Sequence, residues 1–102
     1  MTGLTANNKV YNTNTGATIS SYGSLTSGAT TDNDNKYYTG DTVTLDSSGA
    51  SASFSNANAA NGKTVTVTGL TLNNSNYSIA DQTTTANITA KVLTLSGLTA
   101  AN

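Results

Sequence analysis

The sequence Asp-Asn-Asp-Asn at positions 32–35 has residue types that bind metal ions. Carboxylate and amide oxygens recur along it, and calcium prefers oxygen ligands. An EF-hand loop would also need a glycine at its sixth position and a closing glutamate, but Lys36 and Tyr37 follow here and the chain has no Glu. Two interpretations stay open: an ordinary polar loop, which the incomplete match favours, and a calcium site built from Asp32 and Asp34 with Asp41 as a distant ligand.

Two adjacent aromatic residues, Tyr37 and Tyr38, follow this segment directly. Amphipathic aromatic side chains are favoured contacts for sugars and protein partners, and they also close the ends of β-folds. A structural role is the more ordinary interpretation. If the chain has a binding function of its own, the sequence points first to Tyr37 and Tyr38 and the surrounding loop 28–40.

The composition excludes most other chemistry. The 102 residues include no Cys, His, Trp, Pro, Arg or Glu, and four Lys and five Asp give a net charge of -1. This removes zinc clusters, Ser-His and Cys-His nucleophiles, arginine clamps on phosphate, and disulfides. No basic surface can form for nucleic acid, and apolar runs of two or three residues cannot insert into a membrane. We therefore expect neither an enzyme nor a bound cofactor, calcium at 32–41 excepted.

Short alternating segments predict an all-β fold with a thin core. Val, Ile, Leu and Phe make up only 17 of 102 residues, whereas Thr alone contributes 21. Thr and Val suit pleated, half-buried surfaces, and apolar residues alternate with Thr or Ser in the two-residue period of a strand. Seven or eight strands at this spacing predict a sandwich. The strand candidates are 9–11, 17–20, 22–26, 41–45, 50–54, 63–68, 77–79, 86–88 and 92–95.

The two ends of the chain share a sequence. Gly-Leu-Thr-Ala-Asn-Asn at 3–8 recurs as Gly-Leu-Thr-Ala-Ala-Asn at 97–102, identical at five of six positions, and 97 − 3 gives an offset of 94 residues. This predicts one unit of a tandem array with a short overlap: an overlap at 1–8, one domain at 9–96, and the start of the next unit at 97–102. We expect Leu4, Gly97 and Leu98 to form the joint, with both leucines packed against neighbouring material.

Six sequence blocks follow one another in a fixed order. They are Lys-Val-Tyr at 9–11, Gly-Asp-Thr-Val-Thr-Leu at 40–45, Gly-Lys-Thr-Val-Thr-Val-Thr-Gly-Leu-Thr-Leu at 62–72, Asn-Tyr-Ser-Ile at 76–79, Thr-Thr-Ala-Asn-Ile-Thr at 84–89 and Lys-Val-Leu-Thr-Leu at 91–95. In these blocks and their order the chain resembles the YDG-type (MBG-like) repeats of bacterial surface adhesins and filamentous-haemagglutinin-like exoproteins. It departs from them where that family has Tyr-Asp-Gly, because this chain reads Tyr11-Asn12-Thr13 and the turn that glycine eases must be made otherwise. A segment at 28–39 also looks inserted.

The resemblance implies a spacer repeat of a secreted bacterial cell-surface adhesin, with an immunoglobulin-like antiparallel β-sandwich fold. Its partners would be adjacent repeats of the same chain, and a host or matrix glycan or protein would bind through other regions. The alternative is that this repeat itself binds a glycan or protein through the 28–40 loop. Asn76-Tyr77 resembles a tyrosine corner, which implies that the Tyr77 hydroxyl bonds a nearby backbone group.

Overall fold

The computed structural model describes residues 2–28 and 35–101, and over these ranges the protein is all-β with no helix. Four of its eight strands have only two residues, as expected for a chain poor in long apolar alternation. The strands are β1 (Thr5–Ala6), β2 (Lys9–Val10), β3 (Ile19–Ser21), β4 (Leu45–Asp46), β5 (Ser51–Phe54), β6 (Ala60–Thr68), β7 (Thr71–Leu72) and β8 (Gln82–Thr89).

A four-stranded sheet in the order β2-β8-β6-β5 is the main element. Its two long strands are β6 and β8, which are antiparallel, with Val65 opposite Thr84 and Lys63 opposite Ala86. Val65 and Val67 are fully buried while Thr64 between Lys63 and Val65 is exposed, so β6 shows the two-residue period that its sequence predicts. These two strands confirm the strongest part of the sequence prediction.

The core lies on one face of this sheet and is small. It consists of Phe54, Val65, Ala86 and Ile88. The only charged side chain buried among the described residues is Lys63, whose ammonium donates to the Asn56 side-chain oxygen. Four partly buried side chains complete the core by packing against it: Ala6 on β1, Ala17 before β3, Ile19 on β3 and Ala52 on β5.

The expectation of a wholly antiparallel fold is wrong at one edge, because β2 pairs with β8 in parallel, with Lys9 opposite Ile88. The chain begins with β1, which is antiparallel to β3, and the next strand, β2, then runs in the same direction as β8. Along this edge the Asn87 N–H donates to Asn8 Oδ1 at 2.8 Å. No hairpin joins β2 to β8, so nothing in the connection requires an antiparallel pair.

Two short antiparallel pairs, β1-β3 and β4-β7, lie outside the main sheet. Several predicted strands do not form: 22–26 has only an isolated bridge at Ser24, and 77–79 has none. The prediction is also wrong for 92–95, which is not a strand, and Val92 and Leu93 are 85 % and 82 % exposed. This segment has the alternation of a strand without a neighbour to pair with.

The molecule is long and narrow, with extents of 78 × 23 × 17 Å. Nowhere in the described ranges is there a helix of the length and apolar character required to cross a bilayer.

Candidate binding groove and joint

An open groove of about 830 Å³ lies beside the N-terminal segment. Its wall at one end is Thr2, which exchanges two backbone hydrogen bonds with Ser24, at 2.9 and 2.8 Å. Gly23 makes this approach possible, since it has a φ of 74° and any side chain there would overlap the Thr2 carbonyl oxygen. The aliphatic part of the lining comes from four different segments and consists of Leu25, Val43, Leu72, Ile79 and Ala80.

The Tyr77 hydroxyl fastens one wall of this groove. It donates to Asp41 Oδ2 at 2.6 Å and accepts the Tyr38 backbone N–H at 2.9 Å. Residues 38–41 form a tight turn, in which the Asp41 N–H donates to the Tyr38 carbonyl and Gly40 has a φ of 100°. One hydroxyl therefore bonds both ends of a four-residue turn. The donated bond to the carboxylate raises the pKa of Tyr77 above its ordinary value, because it favours the protonated phenol.

Two asparagines continue this attachment, and the sequence reasoning did not find them. Asn73 Oδ1 accepts the Thr44 N–H at 2.7 Å, and the Asn74 side-chain amide donates to the Thr42 carbonyl at 3.4 Å. Asn74 Oδ1 also accepts the Asn76 N–H, so its side chain shapes the turn that presents Tyr77. The available signal was the run Asn-Asn-Ser-Asn-Tyr directly after β7.

The structure separates the roles of the two predicted contact tyrosines. Tyr37 is half-buried, lines the groove, and bonds through its backbone to Thr26 and Gly28. The Tyr38 side chain is 51 % exposed. Tyr77, which the sequence assigned a structural role, has the predicted hydroxyl-to-backbone bond, but the partner is 39 residues away rather than close in sequence.

Of the three predicted calcium ligands, Asp32 and Asp34 lie outside the described residues. Asp41 accepts the bond from Tyr77, so one of its oxygens already has a partner. Within residues 2–28 and 35–101, no three acidic side chains come together in a way that could hold a metal ion.

A second polar cluster surrounds Lys9. Its ammonium donates to Asn12 Oδ1 at 2.9 Å, to the Asn14 carbonyl at 2.9 Å and to the Gly16 carbonyl at 2.8 Å. It also lies 5.4 Å from the centre of the Phe54 ring, within the range of a cation–π contact. The acceptors are neutral amide oxygens, so Lys9 organises the 12–16 loop without an ion pair.

The same loop shows how the chain turns without the expected glycine. Thr13 has a φ of 75°, in the left-handed region that β-branched residues rarely adopt. It stands where the resemblance places the glycine of Tyr-Asp-Gly. The turn is thus made with a β-branched residue at positive φ, and the bonds from Lys9 to Asn12 and Asn14 hold the loop in place.

The predicted joint residues lie in two different environments. Leu4 is half-buried, and its carbonyl accepts the Thr84 hydroxyl at 3.2 Å. Leu98, its counterpart in the repeated sequence, is 75 % exposed, and Gly97 beside it has a φ of 73°. Leu4 is thus half-buried within the chain and Leu98 is mostly exposed in the part that the structure describes, and the joint itself stays a prediction.

Comparison with known proteins gives one relationship. Neither the curated proteins nor the solved structures gave a match to the chain. A family model described as the YDG domain matches residues 1–86, from the N-terminal segment into β8. That span includes both the Lys9 cluster and every lining residue of the groove. The chain therefore belongs to the YDG domain family.

Proposed function

We propose that this chain is a non-catalytic spacer repeat of a large, secreted bacterial cell-surface adhesin, which projects a distal binding region away from the cell. The spacer is extracellular, needs no cofactor, and has adjacent copies of itself as its partners. Neutral Thr, Ser and Asn side chains keep its surface soluble at a net charge of -1. Its narrow, 78 Å long shape suits a unit that adds length.

The observation that carries this proposal is that the sequence shared by the two ends of the chain is partly buried at one end and exposed at the other. Residues 3–8 contain β1, which pairs with β3 and lies beside β8. Residues 97–101 have nearly the same sequence, yet they form no strand and are exposed. A segment that needs β3 and β8 of a domain to become buried would find both in a following copy of this chain. An array with a 94-residue interval supplies that copy.

We further infer that each unit is a two-layered, immunoglobulin-like sandwich. Supporting this, Ala6 and Ile19 of the β1-β3 pair pack on the core face of the four-stranded sheet. A layer of short strands over a larger sheet is how a thin core of this composition is covered.

A replacement experiment in the parent adhesin tests the spacer role. This repeat is exchanged for an unrelated β-domain of equal length, and adhesion of cells is measured, with simple deletion as the control. A spacer predicts that the exchange preserves adhesion while deletion lowers it by shortening the projection. Loss of adhesion on exchange with normal surface display would contradict the proposal, as would a parent chain that holds a single such domain.

A binding module is the second candidate, because Tyr38 is half-exposed beside a groove that Tyr37 and Tyr77 line. In this case the isolated chain binds a glycan or protein of the host or matrix. Substitution of Tyr38→Ala would abolish that binding without lowering the unfolding midpoint. Tyr11→Ala, which alters a separate pocket beside Ala59, would leave the binding unchanged. Retention of binding in the Tyr38 variant would contradict a role for this surface.

A further inference from the structure

Two features of the described residues stand without a partner: the exposed C-terminal segment 91–96 and the groove beside Thr2. Leu93 and Leu95 are 82 % and 75 % exposed, which is unusual for leucines in a chain with so few large apolar residues. The groove presents apolar side chains from four segments with no segment of the described chain covering them.

We propose that the groove binds residues 91–96 of a neighbouring copy of this chain, with Leu93 and Leu95 inserted between Leu25 and Ile79. This inference rests on the proposed tandem array, and it names the contact that joins one unit to the next. The occupant is thus a second copy of the chain rather than a glycan.

The repeated sequence fixes the position of the incoming segment. If Leu98 of one copy takes the place that Leu4 has in the next, then the 94-residue offset puts Ser96 at the place of Thr2. Leu95 is then one residue from the Thr2 position, about 3.8 Å between Cα atoms, and Leu93 is three residues from it, within about 11 Å. Because Thr2 is itself part of the groove wall, both leucines arrive at the groove.

The backbone around the groove indicates how the segment is held. The antiparallel ladder from Thr2 cannot continue along the chain after Ser24, since the Thr26 carbonyl and the Gly28 N–H already bond Tyr37. On the other side, residues 78–81 make no backbone–backbone hydrogen bond with any described residue, and the Ala80 carbonyl accepts only the Gln82 side-chain amide, at 2.9 Å. An incoming extended segment can pair with the remaining backbone groups of this edge while its leucines enter the groove.

Alternation along the segment separates a binding face from a free face. In extended backbone, Leu93 and Leu95 point to one side, whereas Val92 and Thr94 point to the other. Val92 is 85 % exposed and serves as a matched control, since it is equally apolar and lies in the same segment. The contact is head-to-tail, so each unit inside an array receives one such segment and supplies another.

Amide hydrogen exchange in a two-repeat chain, residues 1–96 joined directly to residues 3–102, tests the proposal, because the groove of its second unit receives the segment of its first. The expected result is that the amide protons of residues 92–95 in the first unit exchange about ten-fold or more slowly than in the single 102-residue chain. The double substitution Leu93→Asp and Leu95→Asp in the first unit should remove this protection, and Val92→Asp should leave it unchanged. Ile79→Lys alters the groove instead: in the second unit it should remove the protection, and in the first unit it should not.

Nuclear magnetic resonance shift mapping keeps the test decisive if the Ile79 variant does not fold. Between the single chain and the two-repeat chain, resonances of Leu25, Val43 and Ile79 in the second unit should shift together with those of Leu93 and Leu95 in the first. Equal exchange of residues 92–95 in the two chains, or protection that Val92→Asp removes equally, overturns the inference. The array itself fails separately, if the parent protein holds one copy while the two-repeat chain still shows this protection.

Discussion

The hydroxyl of Tyr77 lies 2.6 Å from the carboxylate of Asp41, and it joins two segments that are 36 residues apart. Neither segment is a regular strand at this point. A hydrogen bond from a phenol to an ionised carboxylate is stronger than one between neutral groups. The Tyr77 hydroxyl oxygen also accepts the Tyr38 N–H, so this one hydroxyl connects the 38–41 turn to the groove wall.

Removing the hydroxyl alone should loosen this wall. The Tyr77→Phe variant keeps the ring in the groove but leaves the Tyr38 N–H and the Asp41 carboxylate without this partner. We expect a lower midpoint of thermal unfolding and faster amide hydrogen exchange at Tyr38 and Asp41. Tyr11→Phe is the control, because Tyr11 lies at a different pocket with Ala59 and Leu93. Equal midpoints for the two variants would show that the bond contributes nothing.

The same bond predicts a loss of stability at alkaline pH. The pKa of Tyr77 is raised above its ordinary value of 10.0, first because its hydroxyl donates to Asp41. A raised pKa in the folded state means that the stabilisation is complete below the unfolded value and is lost as the pH rises through the folded one. Unfolding by urea should therefore become easier above about pH 10 in the natural chain. The Tyr77→Phe variant should show a smaller alkaline decline, and an identical decline in both proteins would contradict the assignment.

An opposite pH dependence is expected from Asp46. Its pKa is lowered from 3.8, mainly by hydrogen bonds from Ser48, whose N–H lies 2.9 Å from the carboxylate. This stabilisation is present above the ordinary value and disappears as the pH falls through the lowered one. Asp46→Asn keeps an oxygen acceptor but does not titrate, so its stability should depend less on pH below about 4. Urea unfolding across the acid range, natural chain against variant, measures the difference.

The sequence predicts the parts of this fold that depend on local pattern. β6 and β8 follow from alternation of Val, Ala and Ile with Thr, and burial of Val65 and Ile88 follows with them. The parallel partnership of Lys9 with Ile88 does not follow, because it depends on how the chain returns after 79 residues. Alternation at 92–95 predicts a strand equally well, yet a strand forms only when another segment pairs with it, and alternation does not say whether such a segment lies beside it.

The candidate site divides in the same way. Tyr77 was identifiable from its asparagine-tyrosine context, and its hydroxyl does bond a backbone N–H. For its carboxylate partner Asp41 the sequence suggests only a distant ligand of a possible calcium site, since side-chain type alone does not distinguish an acceptor for a phenol from a metal ligand. The groove was not predicted, because Leu25, Val43 and Ile79 become neighbours only in the folded chain.

Thr13 offers a direct test of the altered turn. Its φ of 75° costs a β-branched residue about 1–2 kcal/mol. Glycine avoids this cost, but it loses more backbone freedom on folding, which offsets part of the gain. We expect Thr13→Gly to raise the free energy of unfolding by about 0.5–1 kcal/mol. Thr15→Gly, two residues on and without a positive φ, should lower it. Denaturant unfolding of both variants decides, and stabilisation by both would point to the loop composition rather than to Thr13.

The half-buried ammonium of Lys9 should stabilise the N-terminal half of the chain. Lys9→Met keeps most of the stem but removes a donor to Asn12, Asn14 and Gly16 and the cation beside Phe54. Since hydrogen bonds to charged groups contribute about 1.5–3 kcal/mol, we expect a loss of about 1–2 kcal/mol at this partly solvated site. Lys91→Met, in the exposed C-terminal segment, makes the same chemical change as a control. If both variants unfold at the same denaturant concentration, the cluster around Lys9 does not stabilise the loop.

Two valines of equal size separate the core from the C-terminal segment. Val65 is fully buried among Phe54, Ala86 and Ile88, whereas Val92 is 85 % exposed. Truncating Val65 to Ala leaves a cavity that the long strands cannot close, so we expect a loss of about 2–3 kcal/mol in the free energy of unfolding. Val92→Ala should change it by less than about 0.5 kcal/mol. Chemical denaturation at low protein concentration, where copies do not meet, makes the comparison, and a large effect at Val92 would mean that the segment folds back onto its own domain.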